Sequence, residues 1–444
     1  MLRHVGFLFS EDDLATRQRS FCPCLNTCSI NVNSGLGNNA MSSDPLILVL
    51  NAGSSSLKLA AFTGDSVELR AGVERTNQIA GERQFWIVDQ DGQEIPHGTS
   101  PAGDGWSLLR VVLDTLATRL PGRRVSAVGH RVLHGGSQFT TPVLVTQDIL
   151  SALEKLAPLA PLHQPHNLAE IRAVTSHLPG VPQIACFDTA FHATMPKHER
   201  MLGLPRAYFD KGVMRYGFHG LSYESIADRL PGIDPLAAAG RTVVCHLGSG
   251  ASLCALLAGK SIATTMSFTP LDGLLMGTRA GAIDPGVILH LLRRAHMTPD
   301  QVERLLDRES GLLGVSGISS DVRDLLNSPA PEAAEALDLF CYRVAREIGA
   351  MVAALEGLDS IVFTGGIGEN SPQIRDKVCN RLKWLGAQLD RTANQNENTL
   401  LSNVSSRVSI LRVPADEEVV IARHTASAIS DSPVHPSSSK WKAS

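Results

Sequence analysis

The sequence predicts an α/β fold that uses one strand–turn–strand unit twice and holds a polyanion between its two halves. Three stretches predict it. The apolar run Ile47-Leu48-Val49-Leu50 ends at Asn51. Ala52-Gly53-Ser54-Ser55-Ser56 follows, then a second run through Leu57, Leu59, Ala60 and Phe62. Val243-Val244-Cys245-His246-Leu247-Gly248-Ser249-Gly250-Ala251-Ser252-Leu253 repeats the pattern almost half a chain later. A third apolar-to-glycine junction passes from Ile361 through Thr364 to Gly366, Ile367, Gly368, Glu369 and Asn370.

An apolar run broken by small polar residues reads as strand, tight turn, strand. Glycine lets a backbone approach a ligand where a Cβ would not fit. Serine hydroxyls, exposed N–H groups and Lys58 make the first turn suitable for a polyanion. It is not a Walker A loop, since that Gly-Lys-Ser/Thr spacing is missing and a strand follows where a helix would be needed.

At 444 residues the chain exceeds one typical domain, so two domains are expected. Hydrophobic residues make up 43%, enough for globular cores. A net charge of −4 leaves no basic footprint for nucleic acid. No apolar run approaches the roughly 20 residues of a membrane span. Of the eight cysteines, Cys186, Cys245, Cys254, Cys341 and Cys379 sit in apolar contexts and read as buried thiols of a reducing, cytoplasmic compartment. Cys22, Cys24 and Cys28 could contribute to a metal site, but no second pair or histidine cluster completes four ligands.

Taken in order, residues 1–44 are rich in Ser, Asn and Gly and read as a disordered or over-called N-terminal extension. Gln84 to Val88 reads as a strand with a turn at Asp91-Gly92. Leu108, Leu109, Val112, Leu113, Leu116 and Leu120 fall at helical spacing. Val125 to Val128 is a buried strand leading to His130, Arg131 and His134, and Ile184 to Phe187 is another, ending at Asp188. Polar residues just past such strands are where open α/β sheets place function. Thr298-Pro299-Asp300-Gln301 is a capping box. Leu337, Phe340, Val344, Ile348, Met351 and Leu355 mark a long helix. Ser371-Pro372 predicts a helix start directly after a glycine loop, with its N–H groups aimed at that loop. Asp416 caps a last helix, and 431–444 is a Ser/Pro-rich disordered tail. The expected domains are 45–190 plus 419–430, and 191–418 with the nucleotide site.

Asn51 to Lys58, Gly129-His130-Arg131-Val132-Leu133-His134-Gly135-Gly136, Phe187-Asp188-Thr189-Ala190-Phe191-His192, Tyr216-Gly217-Phe218-His219-Gly220, Met276-Gly277-Thr278-Arg279 and Gly366 to Asn370 together resemble the acetate kinase family. The resemblance covers about residues 45 to 430, in the family's motif order. Met41 lies where a chain of that family would begin. The resemblance implies the duplicated two-domain fold shared with sugar kinases, actin and heat-shock ATPases, with an interdomain active-site cleft. It implies a cytoplasmic homodimer acting on acetate and ATP with Mg²⁺, or Mn²⁺ in its place. Propionate or butyrate kinases, and a low-activity nucleotide-binding member, are the alternative readings.

Phosphoryl transfer to a carboxylate needs no general base, because an acid of pKa about 4 is already ionised at neutral pH. The site must bring two anions together and hold the moving phosphoryl group in line. By resemblance, Arg131 binds the carboxylate, Arg279 and His219 donate to the phosphoryl oxygens, and Asn51 and Glu417 hold the metal. Asp188 matches an acidic residue of the family; with no proton to move, it is expected to orient Arg131 or His219. The acyl pocket is implied to be lined by Leu133, Leu162, Phe218 and Pro270. The nucleotide falls to Lys58, to His246, Leu247, Gly248, Ser249 and Gly250, to Asp321, Val322 and Arg323, and to Gly366, Ile367, Gly368, Glu369 and Asn370. Two positions depart from the family pattern. Ser249 stands where Asn is usual. Ala282 stands where Asp is usual, which predicts a less well oriented Arg279.

Overall fold

The computed structural model describes residues 45–52, 56–75, 83–96, 105–161 and 163–430. The readings made for residues 1–44, including Cys22, Cys24 and Cys28, for 53–55, for Leu162 and for the 431–444 tail lie outside the described residues. Strands β1 (Leu46–Ala52), β2 (Ser56–Thr63), β3 (Ser66–Arg75), β4 (Arg83–Asp89), β5 (Val125–Val132), β6 (Val143–Leu144) and β7 (Gln183–Phe187) form one sheet, in the order β4-β3-β2-β1-β5-β7-β6. Strands β8 (Arg241–Leu247), β9 (Ala251–Leu257), β10 (Lys260–Thr264), β11 (Ser360–Thr364) and β12 (Ser409–Arg412) form the second, in the order β10-β9-β8-β11-β12.

The repeat seen in the sequence is a repeat of topology. β1 is antiparallel to β2 and parallel to β5, as β8 is antiparallel to β9 and parallel to β11. Asn51 pairs with Lys58 across the first hairpin, and His246 pairs with Ser252 across the second, each one step before the last pair of its ladder.

Both central strands are covered on both faces, which is why they read as unbroken apolar runs. Leu46, Leu48 and Leu50 pack with Leu108, Leu109, Val112 and Leu116 of the helix Gly105–Arg119. Ile47 and Val49 pack with Val420, Ile421 and Ala422 of the helix Glu417–Ser430. A Cβ on Gly129 would stand 2.6 Å from Ile421 Cγ2, so only glycine lets that last helix sit so close to β5. In the second sheet Val243, Cys245 and Leu247 pack with Leu337, Phe340, Val344 and Ile348 of the helix Pro331–Leu355. Val244 faces Tyr223, Ile226 and Leu230 of the helix Gly220–Ile233. Cys186, Cys245, Cys254, Cys341 and Cys379 are free and buried.

Local signals behave as their chemistry requires. Thr298 and Gln301 close the capping box, and Asp416 Oδ1 accepts the Val419 N–H at 3.2 Å. One expectation is corrected. Gly365–Asn370 is a short helix of its own, not a loop placed ahead of the helix Pro372–Asn380. Three glycines there oppose helix by propensity. Tertiary bonds override them: Glu369 Oε1 accepts the Gly365 N–H at 2.8 Å, and buried Arg375 donates to Gly368 O at 2.9 Å and Glu369 O at 2.7 Å.

Candidate active site

The carboxyl ends of the parallel strands carry the polar residues. β1 ends beyond Asn51, β5 carries Arg131 one residue before its end, and Asp188 follows β7 directly. Arg131 Nε lies 3.0 Å from Asp188 Oδ1, Nη2 bonds Asp188 Oδ2, and Nη1 donates to Ala52 O at 3.0 Å. That commits three of the five guanidinium N–H groups. One N–H on each terminal nitrogen has no partner among the described residues and is open to an anionic oxygen. Burial opposes the Arg131 charge, but Asp188, Glu417 and Glu418 outweigh it and push the guanidinium pKa up. Burial raises the Asp188 carboxyl, and the Arg131 guanidinium and the His219 backbone N–H bonded to it draw it back. Asp188 thus bonds the side chain of Arg131 and the backbone of His219.

Asn51 Nδ2 donates to Glu417 Oε2 at 3.1 Å and to Glu418 Oε1 at 2.8 Å. Its Oδ1 is left without a donor among the described residues. Arg70 steadies the far side, donating to Asp416 at 2.5 Å and to Glu418 at 3.4 Å. Burial, and then the neighbouring Glu417, push the Glu418 carboxyl up. Among the described residues no cluster of three or more His, Cys, Asp or Glu side chains is arranged to hold a metal. The Asn51 amide oxygen and the Glu417 carboxylate are nevertheless hard donors side by side. They fit a cation that keeps most of its waters.

His219 caps the helix Gly220–Ile233 with φ 60° and ψ 24°, a left-handed conformation that side chains rarely adopt. Buried His192 pins that turn: its Nε2 is 2.9 Å from Phe218 O and its Nδ1 2.8 Å from Ser261 Oγ. The His219 ring stacks on His246 with centroids 4.2 Å apart. Burial, then the His246, Arg131 and Arg279 charges, hold the His219 pKa well below 6.5, so the ring is neutral at pH 7. A Cβ on Gly250 would stand 3.2 Å from His219 Nε2 and 3.8 Å from Arg279 Nη1. The glycine keeps open the space on which these two groups converge.

Arg279 Nε donates to Asp307 Oδ1 at 3.0 Å. The expectation of a poorly oriented Arg279 is therefore corrected. Asp307, on the helix Pro299–Arg308, supplies an orienting carboxylate although Ala282 supplies none. Arg279 Nη2 has no partner among the described residues. His163 was not singled out in the sequence, yet it lies near both arginines. Burial, then Arg279 and Arg131, bring its pKa down to about 4, which places it within reach of both guanidinium charges. Its one sequence signal was adjacency to Leu162.

Leu133 and Phe218 are buried in the same apolar cluster and Pro270 is half-buried. The loops expected to meet a nucleotide adjoin one another. A Cβ on Gly248 would stand 3.9 Å from Gly366 N, and one on Gly277 would stand 3.1 Å from Ser320 O and 3.7 Å from Ser249 O. Several residues predicted there have side chains engaged elsewhere. Leu247 and Val322 are turned into the core, so only their backbone can face a ligand. Glu369 is committed to Thr364, Gly365 and Ala415. Arg323 Nη2 donates to Asp321 Oδ2 at 2.6 Å, and Asn370 Nδ2 to Gly366 O at 2.9 Å. Ser249, Lys58 and Gly366 are exposed, while Gly250, His246, Ile367 and Asp321 are half-buried.

The sequence matches the Acetokinase family over residues 46–423. An acetate kinase of Rhodopseudomonas palustris is 49% identical over 393 residues, covering 85% of this chain and 97% of that one. An acetate kinase of Methylocella silvestris is 45% identical over 392 residues, covering 85% and 96%. Among solved structures, a propionate kinase from Francisella tularensis has a TM-score of 0.79 at 33% identity, covering 86% of this chain and 99% of that one. The Porphyromonas gingivalis acetate kinase has a TM-score of 0.75 at 35% identity, covering 87% and 100%.

Proposed function

The chain belongs to the acetokinase family, and from that premise we propose that it transfers a phosphoryl group reversibly between ATP and acetate, giving acetyl phosphate and ADP. One observation carries the reading. A guanidinium with an uncommitted N–H on each terminal nitrogen, Arg131, lies in reach of the same half-buried histidine, His163, as a second guanidinium, Arg279, which itself converges with neutral His219 on the space over Gly250.

Each group has a task that its surroundings fit. Arg131, locked side-on by Asp188, presents its fork to the acetate carboxylate. Asp188 moves no proton, since acetate is already ionised. Arg279 supplies positive charge to the transferring phosphoryl, and His219 adds a neutral donor. Leu133, Phe218 and Pro270 give the methyl group an apolar wall. Asn51 and Glu417 would hold Mg²⁺, or Mn²⁺ in its place; bound there, the cation would neutralise charge on the nucleotide phosphates. The backbones of 246–250 and 366–370, with Asp321 and Arg323, border the nucleotide.

Among the described residues no helix is long and apolar enough to cross a membrane. The buried free thiols fit a reducing, cytoplasmic setting. A homodimer is part of the proposal. No residue of the helix Pro285–Arg293 is buried, and Val287 and Leu289 are 46% and 48% exposed, an apolar surface for a second copy. Light scattering should therefore give twice the chain mass.

Trapping of acyl phosphate by hydroxylamine, with ATP, Mg²⁺ and a panel of acetate, propionate and butyrate, tests the activity. Acetate should give the highest kcat/KM. One methylene separates the acids by ~1–3 kcal/mol, so a propionate optimum would move the assignment to that acid. Absence of acyl phosphate with every acid would overturn it.

A further inference from the structure

Resting on the proposed phosphoryl transfer, the geometry points to Tyr223 and Ser252 as positioning residues that fix the His219 tautomer, so that its Nε2–H is the donor over Gly250. Tyr223 lies on the helix Gly220–Ile233 and is fully buried among Phe191, His192 and His246. Its hydroxyl has one hydrogen-bond partner among the described residues, Ser252 Oγ at 2.5 Å. Ser252, fully buried on β9, has one other, His219 Nδ1 at 2.8 Å.

Counting protons gives this chain a direction. Burial pushes the Tyr223 phenol well above its ordinary value of 10, so it keeps its proton. Among the described residues that proton has a single acceptor, Ser252 Oγ, and the Ser252 hydrogen then has a single acceptor, His219 Nδ1. In the reverse direction His219 Nδ1–H would donate to Ser252 and Ser252 to Tyr223. The phenol hydrogen would then be left buried without a partner, the costly outcome for a polar group. The forward chain satisfies every hydrogen. With Nδ1 an acceptor and the ring neutral, the ring's one proton sits on Nε2, which faces the space that Gly250 keeps open.

The two residues act through His219, so the first readout is the tautomer itself. In protein carrying ¹⁵N-histidine, the His219 resonances are assigned by their loss in His219→Gln. Wild type should show a pyridine-type Nδ1 and a pyrrole-type Nε2. In Tyr223→Phe, which preserves ring volume, Ser252 is free to accept from Nδ1, and the two tautomers should mix. The kcat for acyl phosphate should fall about tenfold, less than the ~10²–10³ for loss of an entire oxyanion donor, with the KM values for ATP and acetate unchanged. Ser252→Ala, which removes the link between the phenol and His219 Nδ1, should give the same spectral change. A wild-type spectrum with Nδ1 protonated would overturn the inference whatever the activity. So would a Tyr223→Phe protein with unchanged tautomer and unchanged kcat. If wild type made no acyl phosphate while the expected spectrum stood, the proposed activity would fall and the tautomer assignment would remain.

Discussion

Two arginine–aspartate pairs lie near His163, and they are built differently. Arg131 meets Asp188 through Nε and Nη2, and Asp188 is 1% exposed. Arg279 meets Asp307 through Nε, and Asp307 is 18% exposed. The first pair fixes the plane of its guanidinium, which suits the proposed binding of a planar carboxylate. The second holds Nε alone, Nη1 reaches Pro270 O at 3.4 Å and Nη2 has no partner among the described residues, which suits the proposed contact with a moving phosphoryl group. The two sheets share a strand topology, so the contrast comes from which side chains reach the strand ends and which loops meet them.

The largest expected effect separates the two arginines kinetically. Arg279→Ala should lower kcat by ~10³-fold or more, as for an arginine finger. Arg131→Ala should raise the acetate KM and leave the ATP KM near wild type. Arg279→Lys should recover little, because an ammonium cannot reproduce the planar fork. Steady-state kinetics with circular dichroism as a folding control decides it. Identical profiles for the two alanine variants would erase the division of labour.

Stability should separate the aspartates. Asp188→Ala strands a buried guanidinium and should cost about 3–5 kcal/mol. Asp307→Ala removes one charge-assisted hydrogen bond from a more open pair and should cost about 1.5–3 kcal/mol at most. Urea denaturation of both variants checks the ranking. A larger loss for Asp307→Ala would mean that the pair treated as the looser one is the structural anchor.

How far the sequence could be read follows from the same contrast. Asn51, Arg131, Asp188 and His246 follow or end apolar strands, a local pattern with a local cause, and the two hairpins were visible for that reason. Asp307 was not visible. On an amphipathic helix it reads as one more solvated charge, and its partner is 28 residues away. Ser252 and Tyr223 were invisible as a pair, since nothing local joins a strand serine to a helical tyrosine 29 residues before it. The helix Gly365–Asn370 was misread because its glycines argue against helix, while the bonds from Glu369 and Arg375 that impose it are tertiary. Leu247 and Val322 belong to motifs by position but to the core by packing.

The smallest expected effect concerns a carboxyl that only the first pair has nearby. Glu170, on the helix Gln164–His177, has its pKa raised from 4.5 to about 7 by burial, with the Arg131 charge opposing the rise. Its folded value lies above its unfolded one. Between pH 4.5 and about 7 the folded chain therefore keeps a proton that the unfolded chain has lost, and stability falls as pH rises through that window. Above about pH 7 both states are ionised and the term is constant. Glu170→Gln removes the titration. Its Tm should exceed wild type by roughly 1–3 °C at pH 8, with the gap shrinking as pH falls toward 5. Calorimetry at several pH values reads the gap directly. A gap that stayed flat or widened on acidification would mean that Glu170 is ionised throughout and paired to Arg131. Arg131 would then hold two carboxylates, and its contrast with Arg279 would be larger than the Asp188 geometry implies.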